Sequence, residues 1–281
     1  MAIFTNQARL TYNGQSVNSN VTTGEIIEVL SMSKVALDDS YRVGDTVVYA
    51  VSILNAGTTD FQGLTLLDDL GGYDFGGSTL YPLSYVDGSL KYYVNGVLQA
   101  TPALSAGAPL SISGITIPAG GNAMLLYEVE VGELAPPAQG ALITNTATLS
   151  GVGLTAPVLA SAQIGADGSA RLSITKSLSP SSVAENGRLT YTFVIENSGS
   201  QATDATDDLT LIDVFDPVLS DLTVTLDGAP FAAYSYDQAS GTFTTTPGAI
   251  TVPGATFLQD PVSGQWQTDP GAVVLTVTGT V

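Results

Sequence analysis

An all-β fold is what this sequence predicts, arranged as two tandem immunoglobulin-like β-sandwiches plus an N-terminal donor strand that belongs to neither. Three observations carry the prediction. Only 12% of the residues are charged while 44% are hydrophobic, and Thr, Val, Ser, Gly and Tyr are frequent, a composition that suits strands better than helices. Short runs with period-two alternation are separated by turn pairs, and no convincing helical period is found. The chain also repeats itself, once per predicted sandwich.

The repeat begins at Lys34. Its first copy continues through Gly44-Asp45-Thr46-Val47-Val48-Tyr49, Asn55-Ala56-Gly57 and Leu64-Thr65-Leu66-Leu67-Asp68. The second runs from Lys176 through Gly187-Arg188-Leu189-Thr190-Tyr191, Asn197-Ser198-Gly199 and Leu209-Thr210-Leu211-Ile212-Asp213. Lys and Tyr are 15 apart in both copies (49 − 34; 191 − 176), and Tyr and Asn are 6 apart (55 − 49; 197 − 191). Ile115-Thr116-Ile117-Pro118 then matches Ile250-Thr251-Val252-Pro253, and the strand starting at Ala123 is matched to the strand starting at Ala272. Turns are marked by Asn95-Gly96, Asn186-Gly187, Asp87-Gly88 and Asp227-Gly228, the pairs that tolerate positive φ in tight hairpins. Many short strands with regular turns indicate a sandwich in each copy, and 281 residues are enough for two such domains.

The copies are out of phase. The first continues past its last matched strand into Ile143-Thr144-Asn145-Thr146-Ala147-Thr148-Leu149. The second reads as having no such strand before Val281, and the matching segment stands at the other end of the sequence, Phe4-Thr5-Asn6-Gln7-Ala8-Arg9-Leu10. The expected division is therefore a donor strand and linker over residues 1–25, a complete sandwich over 26–165, and over 166–281 a sandwich without its closing strand. Such a sandwich presents unpaired backbone groups and an apolar groove that invite a strand from another chain. The contact would be head to tail, so repetition gives an open filament. Phe4, Asn6, Ala8 and Leu10 on the donor, with Lys176, Val277 and Val281 on the acceptor, form the expected polymerisation interface.

Composition also excludes function classes. The 26 acidic and 7 basic residues give a formal charge of −19, which repels phosphate backbones and removes nucleic acid as a partner. With neither Cys nor His, there are no disulfides, no thiolate or imidazole metal sites, and no Ser-His-Asp or Cys-His arrangement. No cofactor, metal site or enzymatic activity is expected. No run approaches the roughly 18 apolar residues that span a bilayer, and the first residues do not read as a secretion signal. No membrane insertion is therefore expected.

The pattern Lys…Gly-Asp-x-Val-x-Tyr…Asn-x-Gly…Leu-x-Leu-x-Asp…Thr-Asn-x-Ala resembles the conserved-repeat domains of bacterial surface proteins (the eleventh family of domains of unknown function), once per sandwich. The two-repeat form is also similar to the repeat proteins of clostridial spore appendages. These resemblances imply an extracellular product on a cell or spore surface, freed by mother-cell lysis in the spore case. Surface sandwiches of this architecture often carry a Lys–Asn isopeptide bond formed beside a carboxyl group. That chemistry needs a desolvated, neutral amine and a protonated carboxyl. The candidates are Lys34, Asp68 and Asn145 within the first sandwich, and Lys176 and Asp213 with Asn6 of a neighbouring subunit. The alternative for the lysines is an exposed place on a strand, and for the asparagines a turn cap.

Other signals are weaker. Asp38-Asp39, Asp68-Asp69, Asp204 and Asp207-Asp208 lack any calcium-loop spacing and read as solvated loop carboxylates. Trp266, Tyr92 and Tyr93 suit a sugar platform, or equally cross-strand packing. Gly151 and Gly153 belong to no phosphate loop. The rival function is a monomeric adhesion or ligand-binding module; a carbohydrate-active enzyme would need a carboxylate pair in a cleft.

Overall fold

The computed structural model describes residues 2–26 and 28–281. The chain divides into two units, residues 1–135 with 142–165, and residues 136–141 with 166–281. Strands dominate. The helical element among the described residues is a single 3-10 turn, Ala205–Asp207, capped by Asp204 and Asp207, and no helix there is long and apolar enough to cross a membrane.

Four strands precede the first sandwich: β1 (Ala2–Asn6), β2 (Arg9–Tyr12), β3 (Gln15–Asn18) and β4 (Thr22–Ile26). They pair among themselves, β1 with β4 and β2 with β3, and join neither of the larger sheets. Where the sequence suggests one strand followed by a linker, residues 15–26 are a return strand. Its tight turn is Asn13-Gly14, both at positive φ, the conformation that Asn-Gly accepts most readily.

The first sandwich opens with β5 (Leu30–Ala36), β6 (Ser40–Tyr41), β7 (Thr46–Asn55) and β8 (Phe61–Asp68). Short strands follow: β9 (Tyr73–Phe75), β10 (Ser78–Leu80), β11 (Leu83–Tyr85), β12 (Lys91–Val94), β13 (Val97–Leu98) and β14 (Ala103–Ser105). Four long ones close it: β15 (Leu110–Ile117), β16 (Asn122–Val131), β17 (Leu142–Ser150) and β18 (Val158–Ala166). One six-stranded sheet runs β13-β12-β16-β7-β5, with β11 also on β16; the other runs β14-β15-β8-β17-β18-β6. Alternation sets the faces. Val47, Tyr49, Val51 and Ile53 of β7 and Leu64 and Leu66 of β8 are buried, and so are Ile143, Ala147 and Leu149 of β17. These inward residues of the two sheets make one core, as in an aligned sandwich. The closing strand β17 lies between β8 and β18 and is hydrogen-bonded on both sides.

The second unit contains β19 (Leu172–Ser179), β20 (Arg188–Asn197), β21 (Ile212–Val214), β22 (Ser220–Leu226) and β23 (Ala229–Pro230). It continues with β24 (Tyr234–Asp237), β25 (Thr242–Thr245), β26 (Thr256–Gln259), β27 (Trp266–Asp269) and β28 (Gly271–Thr280). A five-stranded sheet runs β19-β20-β28-β22-β23, and the sheet carrying β21 has three strands, β21-β25-β24. Tyr191, Phe193, Phe215, Phe243, Leu275 and Val277 are central to the core.

The repeat is preserved in register. Lys34 lies opposite Val51 and Lys176 opposite Phe193, the same offset of 142 in both cases (176 − 34; 193 − 51). The last matched strands need one correction. Tyr127 lies opposite Tyr49 and Val277 opposite Tyr191, so Tyr127 corresponds to Val277. Aligning Ala123 with Ala272 on their identity is off by one residue, and a slip of one moves every side chain to the other face of a strand.

Candidate functional site

Five residues converge in the first sandwich. Lys34 comes from β5, Tyr49 from β7 and Tyr127 from β16, all in one sheet; Asp68 on β8 and Asn145 on β17 come from the other. The Lys34 Nζ is 2.5 Å from Asp68 Oδ2, and both side chains are 0% exposed. The Tyr127 hydroxyl donates to the same Oδ2, and the Leu70 amide donates to Oδ1 at 3.0 Å. Lys34 Nζ also sits 4.7 Å from the centre of the Tyr49 ring, which favours a cation there.

Burial decides the electrostatics. Desolvation lowers the Lys34 pKa below its ordinary value, and the attraction of Asp68 only partly offsets it. The same burial, with Asp68 as neighbour, raises the Tyr127 hydroxyl well above its ordinary value, so it stays protonated and can donate. Tyr49 is raised as well, chiefly by burial.

Asn145 is the anomaly in this cluster. It is fully buried, and both its Oδ1 and Nδ2 have no hydrogen-bond partner of ordinary geometry, as is also true of the nearby Tyr49 hydroxyl. A buried amide left unpaired costs on the order of 1–3 kcal/mol. Other buried asparagines show what a structural role looks like. The Asn55 Nδ2 donates to Thr59 O and Pro118 O, both at 2.9 Å, and its Oδ1 accepts from Gly57 N at 2.9 Å. The Asn197 amide does the same with Gln201 O, Pro253 O and Gly199 N. Asn145 caps nothing. Its strand is pinned beside it by Asp69, whose Oδ1 accepts from Thr146 N at 2.8 Å and whose own amide donates to Thr146 O at 3.0 Å.

Lys176 and Asp213 are also brought together, as an ion pair, with Lys176 Nζ 4.5 Å from the Tyr191 ring centre. This pair is open: the side chains are 41% and 17% exposed. Every residue of β19 is exposed, whereas Leu30 and Lys34 of the equivalent β5 are buried. The cause lies in the opposite sheet. β21 ends its sheet, paired with β25 on one side, where β8 carries β17 on its second edge. Leu172, Ile174 and Leu178, which alternate with Lys176 on one face of β19, are consequently exposed.

Of the remaining expected interface residues, Phe4, Asn6, Ala8 and Leu10 are all exposed on the N-terminal hairpin. Val277 corrects the expectation: it is fully buried, and β28 is paired on both edges, with β20 and β22, so it offers no edge to an incoming strand. Val281 packs against the core and donates its amide to Gly187 O at 3.0 Å. Among the described strands, β21 has an unpaired edge where its equivalent β8 carries β17.

The weaker candidates do not assemble. Among the described residues no group of three or more acidic side chains could hold a metal ion. Tyr92 is buried, donates to Thr116 O at 2.6 Å and accepts from Thr116 N at 2.9 Å, a packing role. Gly151 and Gly153 are turn residues at positive φ. Asp69 reads from sequence as a solvated loop carboxylate and is instead bonded to the Thr146 and Gly71 backbone; Tyr127 carries no sequence signal, and Tyr49 is visible in the Lys-to-Tyr spacing with nothing to tie it to chemistry.

No protein family model and no curated protein matches the sequence. Among solved structures the chain is similar to BcpA, the major pilin subunit of Bacillus cereus, at 10% identity and a TM-score of 0.38, over 96% of this chain and 73% of that one. It is similar to the pilus backbone RrgB of Streptococcus pneumoniae at 12% identity and a TM-score of 0.36, over 86% and 55%. A family 123 glycoside hydrolase from Clostridium perfringens matches at 10% identity and a TM-score of 0.32, over 49% of this chain and 27% of that one. The chain thus spans about a quarter of the hydrolase and about half of the pilus backbone. Likeness at this level carries no functional weight.

Proposed function

We propose that the protein is the structural subunit of an extracellular surface filament, joined head to tail by docking the N-terminal segment of one copy on the open edge of β21 in the next. One observation carries this reading. In the first sandwich, the strand with Thr-Asn-x-Ala-x-Leu sits on the second edge of β8 and buries Lys34; in the second unit that edge is open, and the matching Thr5-Asn6-Gln7-Ala8-Arg9-Leu10 belongs to no sandwich sheet. Backbone pairing supplies affinity, and alternate side chains fix the register.

The cluster around Lys34 supports covalent locking. With the shared proton on Asp68, the Lys34 amine has a free lone pair, and a neutral pair avoids charge separation in a low-dielectric site. Its Nζ attacks Asn145 Cγ while the Asp68 carboxyl polarises the amide oxygen. The Nζ–Cγ bond forms, the Cγ–Nδ2 bond breaks, and ammonia leaves with the proton the amine gave up, relayed by Asp68. The product ties one sheet to the other and removes the unpaired amide. Lys176, Asp213 and Asn6 of a neighbouring copy would do the same between subunits once docking excludes water from around Lys176.

Boiled, reduced SDS gels beside negative-stain microscopy test the filament. Fibres together with a ladder of multimers support covalent assembly, and fibres with a monomer band retain docking without the intersubunit bond. Monomer by both methods at high concentration makes the protein a monomeric module instead. Intact mass tests the internal bond, which makes each chain lighter by one ammonia, ~17 Da; an unmodified mass discards it.

A further inference from the structure

We infer that the donor is the whole N-terminal hairpin, residues 2–26, so that the acceptor edge takes two strands and not one. This rests on the polymerisation reading above and specifies what is inserted. In the first sandwich, β17 does not cover β8 alone; it arrives paired with β18, antiparallel, with Ile143 opposite Ile164, Asn145 opposite Ala162 and Leu149 opposite Val158. The hairpin has the same plan. Phe4 lies opposite Gly24, Asn6 opposite Thr22 and Leu10 opposite Val17. Phe4, Asn6 and Leu10 align with Ile143, Asn145 and Leu149 at a constant offset of 139 (143 − 4; 145 − 6; 149 − 10).

The return strand is shaped to the same purpose. Directly opposed residues share a face, so Phe4, Leu10 and Val17 lie on the face that carries Asn6, and all three are exposed, at 53%, 70% and 66%. Ile3, Thr5, Arg9, Thr11, Ser16, Thr23 and Glu25 lie on the other, which is polar apart from Ile3 at its start. Arg9 Nη2 donates to Ser16 Oγ at 2.8 Å, and the Thr11 and Ser16 hydroxyls are 3.3 Å apart, a polar surface suited to solvent. The return strand carries one extra residue, with three between Asn18 and Thr22 against two between Asn6 and Arg9. That bulge keeps Val17 and Thr22 on one face, and Ser19 bridges it, its Oγ accepting from Ala8 N at 2.9 Å and its O from the Gln7 side chain at 2.8 Å. The Phe4 ring lies over Gly24, where an added Cβ would come within 2.4 Å of it. One large ring against a glycine thus stands where two isoleucines, both buried, meet in the first sandwich. An isolated two-stranded hairpin is marginal in water, so a hairpin with one apolar face is complete only when docked.

The two return-strand variants leave residues 2–12 unchanged. Replacing residues 15–26 with a Gly/Ser segment of equal length, and separately making Val17→Asp, should each lower filament yield at least ten-fold, by sedimentation and microscopy beside the unmodified protein. Cysteines at the opposed positions Thr5 and Thr23, in a chain with none of its own, lock the hairpin; the oxidised form should polymerise within about two-fold of the reduced form. Both return-strand variants polymerising like the unmodified protein, or the oxidised lock staying monomeric while its reduced form assembles, would overturn the hairpin and leave single-strand docking standing. Failure of the unmodified protein to assemble sinks the underlying filament reading.

Discussion

Lys34 and Lys176 hold the same place in two copies of one repeat, each on an outer strand, each beside an aspartate and over a tyrosine ring. Lys34 is sealed and Lys176 is not. The sheet to which each belongs is nearly the same in the two units; the difference comes from the sheet across the core, six strands in one unit and three in the other. A lysine's burial is therefore decided by strands far from it in sequence. Two further differences bear on the same point. Tyr127, which holds Asp68 from β16, is Val277 in the second unit, and Asp69, which pins β17, corresponds to Val214. The second site has fewer fixed donors of its own.

The comparison breaks most visibly at Asn6. Asn6→Ala, or Lys176→Met, is expected to collapse the SDS-resistant ladder to a single band while fibres persist in the microscope, because backbone pairing remains. Next in size is Asn145→Ala. A bond between residues 34 and 145 closes a loop of 111 residues (145 − 34), and a cross-link of that length contributes about 4–5 kcal/mol by chain entropy. The unfolding free energy of the first sandwich in denaturant should fall by that amount, with the mass of the parent protein differing from its sequence value by ~17 Da.

Tyr127→Phe sharpens the contrast between the units. It removes a buried donor to Asp68 without changing shape, a loss of about 1–3 kcal/mol. If that donor serves bond formation, the internal bond should form roughly ten-fold or more slowly in freshly refolded protein, followed by mass against time. The smallest effect is on pH. In Asn145→Ala the Lys34 amine cannot react, and its folded pKa is lowered from 10.5 by burial. The unfolded chain then holds the extra proton between the lowered value and 10.5, so stability rises with pH across that window. Asn145→Ala combined with Lys34→Met should lack that rise in denaturant titrations at several alkaline pH values.

Much of this was legible in the sequence. Strand identity, the repeat and its register from Lys34 to Tyr49 followed from alternation and spacing, because a period of two leaves few registers that bury the right face. The meeting of Lys34 with Asp68 followed from the resemblance to surface sandwiches, carried onto the residues that each repeat offers. Other features did not. Tyr127 was hidden because the matching strand carries valine there, and two alanines invited an alignment off by one. The acceptor edge was placed on the last strand, where the sequence stops, although topology puts β28 mid-sheet and β21 at the margin. Residues 15–26 read as a linker in the sequence because the pattern is broken by the bulge at Ser19 and by Gly24.

The central claim is that Asn6 of one subunit meets Lys176 of another. Digestion and tandem mass spectrometry of the boiled, high-mass gel bands test it directly. The account predicts a peptide pair joining the segment around Asn6 to the segment around Lys176, lighter by one ammonia than the two together, present in the multimer bands and absent from monomer. Finding that pair within the monomer band, or multimer bands joined through other residues, would contradict it.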